Sequence, residues 1–123
     1  MFIAIDFDGT CVDHRYPEVG NPAPNSIETL KALNLAGFNL ILWTMRSEEK
    51  LQDAINWFKD NDISLFGIQR NPTQDSWSSS PKCYAHVYID DAAFGAPLIK
   101  PEGFARPCID WSKVRDHFLG VSA

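Results

Sequence analysis

Apolar residues fall along this chain in two rhythms. Short runs at Phe2–Ile5, Phe38–Trp43, Ile63–Ile68 and Ala85–Ile89 are rich in Ile, Leu and Phe and too brief for helices. Such runs read as strands, and near-continuous apolarity marks strands buried on both faces, as in a parallel sheet. Between them the apolar positions recur every three or four residues. Ile27, Leu30 and Leu33 form one stripe, with Asn25 as the expected N-cap, Glu28 three residues on, and Gly37 as the stop. Leu51, Ala54, Ile55 and Phe58 form a second, opened by Ser47 with Glu48 and Glu49 in the first turn and closed by Asp60-Asn61-Asp62. Trp111, Val114 and Phe118 form a third, between a capping Asp110 and Gly120.

The remaining segments are polar or rich in turn formers. Residues 11–24 carry three prolines, Gly20 and Asn21 and predict a structured loop. Residues 69–81 are Ser-rich, with Pro72 and Pro81, and predict a loop carrying Trp77; residues 92–107 predict a loop with a short strand near Leu98-Ile99. The alternation of strands and helices predicts an α/β fold: a three-layer, Rossmann-like architecture with an open, mostly parallel sheet and helices on both faces.

Composition narrows the picture. At 123 residues the chain fits one domain, residues 1–123, and its 45% hydrophobic content suits a packed core. Sixteen acids against eleven bases give a net charge of −5, which argues against a non-specific nucleic-acid binder but leaves a nucleotide or an oligonucleotide end open as substrate. Cys11, Cys83 and Cys108 are odd in number and lack C-x-x-C spacing, so reduced thiols and a cytoplasmic location are expected, without disulfides or zinc. No signal-peptide pattern and no run long enough to span a membrane occur.

The candidate chemistry lies at strand ends. Asp6-Phe7-Asp8-Gly9-Thr10 closes the first apolar run. Strand alternation puts Asp6 and Asp8 on one side and Phe7 on the other, while Gly9 permits a sharp turn that offers backbone N–H groups to an anion. Two close carboxylates repel, so they need a cation, a shared proton or a substrate between them. The second run ends at Thr44 and the fourth at Asp90-Asp91, with Lys82 just before the latter. In open α/β sheets sites form beyond such carboxyl ends, at the point where strand order reverses. A cluster of carboxylates there suits a hard divalent cation such as Mg²⁺.

Taken in order, D-x-D-G-T, a strand-end Thr, a Lys and a strand ending in Asp-Asp resemble the four motifs of the haloacid dehalogenase superfamily of phosphohydrolases. The resemblance covers residues 2 to about 91. It implies a Mg²⁺-dependent phosphomonoester hydrolase in which Asp6 attacks phosphorus and forms an aspartyl-phosphate, and Asp8 acts as general acid and base. It implies phosphate binding by Thr44, Lys82 and the backbone of the turn at Gly9 and Thr10. The metal would be held by Asp6, the Asp8 backbone carbonyl and Asp90 or Asp91. The intervals at 11–24 and 69–81 are too short for a cap module, so the resemblance is to a small capless member acting on a phosphorylated small molecule or nucleotide.

Other residues admit two readings. Arg46 is placed to grip a substrate anion or to pair with Glu48 or Glu49. His14 and Arg15 read as solvated loop residues or substrate contacts; Cys11, His86, Trp57 and Trp77 read as packing. With no cap, the loops at 11–24 and 69–81, bearing Tyr16 and Trp77, are expected to flank the opening and meet substrate or a second subunit, which makes a homo-oligomer one expected assembly. Outside the phosphatase reading stand a receiver-like signalling domain, whose acidic pair would close the first strand and whose phosphorylated Asp a middle one, and an idle binding protein on the same fold.

Overall fold

The computed structural model describes residues 1–120. Four parallel strands form the sheet: β1 (Phe2–Ile5), β2 (Asn39–Leu42), β3 (Gly67–Ile68) and β4 (Val87–Ile89), in the order β3-β2-β1-β4. Phe2 stands opposite Asn39 and Ile5 opposite both Leu42 and Ile89. The chain steps from β1 outward to β2 and β3, then returns to place β4 on the far side of β1. The reversal therefore falls between β1 and β4, where a Rossmann-like sheet opens a crevice.

Side-chain alternation divides the sheet. Ile3, Ile5, Leu40, Leu42 and Ile89 face a large core shared with α1 (Ser26–Leu35), α2 (Glu48–Asp60) and α3 (Trp111–Leu119). Leu30, Leu33, Phe58 and Trp111 are fully enclosed there, and each such side chain contributes roughly 1.5–3 kcal/mol by leaving water. Ala4 and Ile41 face the other way, against Cys83, Ala85 and Tyr88. That face is covered by the chain between β3 and β4, which includes a 3-10 helix at Pro72–Ser76. The result is the expected three-layer α/β arrangement, with α-helices on one face and the 3-10 segment on the other. Among the described residues no helix is long and apolar enough to cross a membrane.

Local departures from the sequence reading have local causes. Asn25 does not cap α1 with its side chain; its φ of 66° and ψ of 8°, with Ser26 N–H bonded to the Ala23 carbonyl at 3.0 Å, make it the third residue of a type II turn begun at Ala23-Pro24. Ser47 makes no side-chain cap either, because Glu48 enters the helix with φ at 51°. Asp110 does cap α3, accepting from the Ser112 amide. The stop at Gly37 is a Schellman turn, with Phe38 N–H to Leu33 O and Gly37 N–H to Asn34 O, both at 3.0 Å.

The strand expected over Ile63–Ile68 shrinks to Gly67–Ile68. Ile63 N–H is drawn back to the carbonyl of Phe58, and the Asn34 side chain takes both backbone groups of Ser64. The segment after Asp91 holds more order than its prolines and glycines suggested. Leu98–Ile99 (β5) pairs antiparallel with Cys108–Ile109 (β6), forming a hairpin whose loop spans residues 100–107.

Candidate active site

Asp6 follows β1, Thr44 follows β2 and Asp90 follows β4, so three neighbouring strands deliver their C-terminal residues to one place. Asp6 N–H extends the ladder to Ile89 O at 3.0 Å, which fixes the backbone from which its carboxylate projects. Phe7 turns into the core as expected, packing against Trp57 and Phe58. Asp6, Asp8, Thr44, Asp90 and Asp91 all border a cavity of about 440 Å³.

One carboxylate oxygen each from Asp6, Asp90 and Asp91 lies within 4.8 Å of the others. Burial, then the charge of Asp90 and the hydrogen bond and charge of Asp91, push Asp6 from its usual 3.8 up to about 8, against a smaller opposing effect of the Phe7 amide. Three oxygens of this kind fit a hard cation: opposite ligands of an octahedral Mg²⁺ stand about 4.2 Å apart. The side chains of Asp6, Asp90 and Asp91 are thus able to hold one.

Thr10 braces this cluster. Its hydroxyl lies 3.2 Å from Asp6 Oδ2 and 3.1 Å from Asp91 Oδ1, and accepts from the Asp91 amide at 3.1 Å. The Thr10 carbonyl is held in turn by the indole N–H of buried Trp111 at 2.8 Å. Gly9 has a spatial reason beyond its φ of 82°: a Cβ there would stand 2.5 Å from Asp91 Oδ2.

The expectation that Gly9 and Thr10 offer N–H groups to phosphate is corrected. Gly9 N–H bonds to Val12 O at 2.8 Å, and Thr10 N–H to Phe7 O at 3.1 Å, because the turn closes on itself. Among the described residues of this turn, the amides of Phe7 and Asp8 donate to no protein carbonyl, and that of Phe7 faces the Asp6 carboxylate. Cys11 is buried and donates to Asp6 O at 3.4 Å; burial and the nearby aspartates hold its thiol protonated, in keeping with a packing role.

Arg46 is neither a free anion ligand nor a partner of Glu48 or Glu49. It is 2% exposed and makes a two-pronged pair with Asp8, Nε to Oδ2 and Nη2 to Oδ1, both at 2.8 Å. Its remaining donors reach Pro17 O, Lys50 O and Glu18 O at 2.9–3.2 Å, so all five N–H groups are used. Phe7 and Tyr16 sandwich the guanidinium, each ring centre 5.1 Å away. Hydrogen bonding to Asp8, partly offset by burial, holds its pKa above the ordinary arginine value. Removing one member of such a buried pair costs about 3–5 kcal/mol. The Asp8 carboxylate is therefore committed to Arg46 and lies outside the three converging carboxylates, which leaves its backbone carbonyl as the atom it could offer a cation.

Thr44 is held at backbone level by the Gln69 side-chain amide, which accepts from Thr44 N–H at 2.8 Å and donates to Thr44 O at 2.6 Å. Its hydroxyl accepts from Arg46 N–H at 3.1 Å and retains its own proton to donate into the cavity. Lys82 is not brought to the site. Its ammonium lies 5.5 Å from the Tyr88 ring centre, beside a separate depression that includes Trp77 and Tyr84. Gln74 fixes this position by donating to Lys82 O at 2.7 Å. The 69–81 loop with Trp77 accordingly stands apart from the opening, whereas Tyr16 and His14 of the 11–24 loop border it.

The other bordering loop is the β5–β6 hairpin, through Arg106. Asp13, 3% exposed, ties the two loops together: it accepts from Ala105 N–H at 3.0 and 3.1 Å and from Arg15 Nε at 2.8 Å. Burial alone would raise the Asp13 pKa, but these donors outweigh it and hold the carboxyl below its usual range. Arg15 also reaches Gly103 O at 2.9 Å. Neither Asp13 nor Arg106 was singled out from sequence, since an acid and a base in loops of low periodicity carry no mark of their pairing.

A parallel sheet with converging carboxylates at its switch point defines an α/β protein of Rossmann-like architecture with an acidic crevice. The chain matches no protein-family model and no curated protein. It is similar to the solved structure of a conserved protein from Bacteroides thetaiotaomicron, with 32% identity and a TM-score of 0.81 over 100% of this chain and 93% of that one. The chain belongs to the same family as that conserved protein.

Proposed function

We propose that this protein is a Mg²⁺-dependent phosphomonoester hydrolase of the haloacid dehalogenase type, acting on a phosphorylated small molecule or nucleotide. One observation carries the reading: the carboxylates of Asp6, Asp90 and Asp91 and the hydroxyl of Thr44 converge on one cavity at the sheet's switch point. A cation held by the three aspartates would supply charge neutralisation, allowing an anionic phosphoryl group to approach an anionic nucleophile.

The chain's own residues do the rest. Asp6 attacks phosphorus, the bond to the leaving oxygen breaks, and an aspartyl-phosphate forms. Thr44 and the amides of Phe7 and Asp8 donate to phosphoryl oxygens as charge builds on them. Asp8 carries the proton. Each of its oxygens keeps a lone pair beyond its bond to Arg46, so Asp8 takes a proton from the attacking water in the second step and gives that proton to the leaving oxygen of the next turnover, while Arg46 fixes its direction. Water then cleaves the acyl phosphate, regenerating Asp6 and releasing phosphate.

The test is turnover of an aryl phosphate with Mg²⁺ by wild type and Asp6→Asn. Wild type should turn over and the variant should not, with folding unchanged by circular dichroism. Mg²⁺ should also raise the wild-type Tm by mass action, and much less in an Asp90→Ala, Asp91→Ala double variant. Equal turnover in wild type and Asp6→Asn would remove the nucleophile, and equal Tm shifts would remove the metal site.

A further inference from the structure

The cavity over Asp6 is larger than a phosphoryl group requires, and its volume of about 440 Å³ falls in the range of pockets that hold whole small molecules. Its bordering side chains include four carboxylates and two guanidinium groups. Arg46 has every donor committed to protein acceptors. Arg106 makes no ion pair and no side-chain hydrogen bond among the described residues, although it borders the same acidic cavity. It is the cation left for a substrate.

Its position is built. Ala105, the preceding residue, is held through its N–H by both oxygens of the buried Asp13 carboxylate. Arg15 locks that carboxylate and the Gly103 carbonyl from the other side. The base of the hairpin is pinned to the catalytic turn itself, Ile109 N–H to Gly9 O at 3.3 Å. His14 and Arg106 each adjoin one end of the Asp13–Ala105 link, and both border the cavity.

We propose that Arg106 is a specificity-determining residue that binds a second oxyanion of the substrate, a carboxylate or a second phosphate, in the same cavity as the phosphoryl group presented to Asp6. The planar guanidinium offers such a group a paired set of donors, and His14 borders the same cavity. The inference deepens the hydrolase reading and rests on it.

The experiment compares three probes with Mg²⁺: phenyl phosphate, 4-carboxyphenyl phosphate and 1,4-phenylene bisphosphate. Wild type should favour one or both probes with an anionic tail over phenyl phosphate in kcat/KM by roughly 10-fold or more, the size expected of a hydrogen-bonded charge pair. Which probe is favoured tells carboxylate from phosphate. Arg106→Gln should bring the ratio close to unity, and Arg106→Lys should restore part of it. A second readout is calorimetric binding of the same probes to Asp6→Asn protein, with and without Arg106→Gln. An equal ratio in wild type and Arg106→Gln, with turnover still dependent on Asp6, overturns the inference and leaves the hydrolase standing. If no probe is turned over, the hydrolase reading falls, and binding decides: preference lost with Arg106 supports the anion site, and equal binding overturns it.

Discussion

Asp6 shows how far a single residue depends on its neighbours. Its carboxyl is pushed from 3.8 to about 8 by burial and by the charges of Asp90 and Asp91. Without a cation, the native protein therefore keeps a proton on Asp6 at pH values where the unfolded chain has released it. Stability falls wherever the native state holds the extra proton and pH rises, so the metal-free protein should lose stability between about pH 4 and about pH 8 and level off above. Melting in EDTA across that range should show a decline that is steeper in wild type than in Asp6→Asn, since other titrating groups are common to both. Mg²⁺ should flatten the wild-type curve by favouring the ionised form. An identical slope in wild type and Asp6→Asn would mean that Asp6 is not the strained acid. The acids of this cluster were legible in the sequence because strand ends collect at one edge of a sheet. The Arg46–Asp8 pair was not: its members lie 38 residues apart, and the nearer acids Glu48 and Glu49 gave no sign of losing the competition.

At the scale of elements, among the described residues hydrophobic rhythm located every α-helix and all but one strand, but not the 3-10 helix at Pro72–Ser76, while the ends were decided by backbone geometry that rhythm does not carry. The three expected N-caps separate cleanly. Asp110 accepts from Ser112 N–H at 3.2 Å and from its hydroxyl at 2.6 Å, whereas Ser47 and Asn25 make no side-chain cap. Asp110→Ala should therefore cost about 1 kcal/mol, and Ser47→Ala only a few tenths. Urea midpoints for the two variants, at unchanged slope, will separate them; comparable losses would show that Ser47 caps its helix in solution. The hairpin of β5 and β6 was half visible, at Leu98-Ile99. Its partner Cys108-Ile109 is two residues long and follows Pro107, so alternation had no length over which to appear. That hairpin nevertheless reaches the crevice through Arg106, where the sequence had pointed to the 11–24 loop and the loop with Trp77.

The whole molecule is lopsided. One face of the sheet rests on the core shared by three helices, and the other on Ala4, Ile41 and Cys83 beneath a segment held largely by polar links from Arg70, Asn71 and Gln74. Regions with few buried apolar contacts open at lower free energy than the rest. Amide exchange in deuterated water should thus proceed through a partial opening of residues 70–85, with β1 and β2 exchanging only on global unfolding. Equal protection of the two regions would show that the polar links close that face as firmly as the helices close the other. The lopsidedness also sorts the charges by persistence. Lys82 lies in the segment expected to open first, while Asp6, Thr10 and the Arg46–Asp8 pair adjoin β1 and β2, which are expected to open last. A brief local excursion of the chain should therefore strip away a surface lysine and leave the base of the acidic crevice assembled.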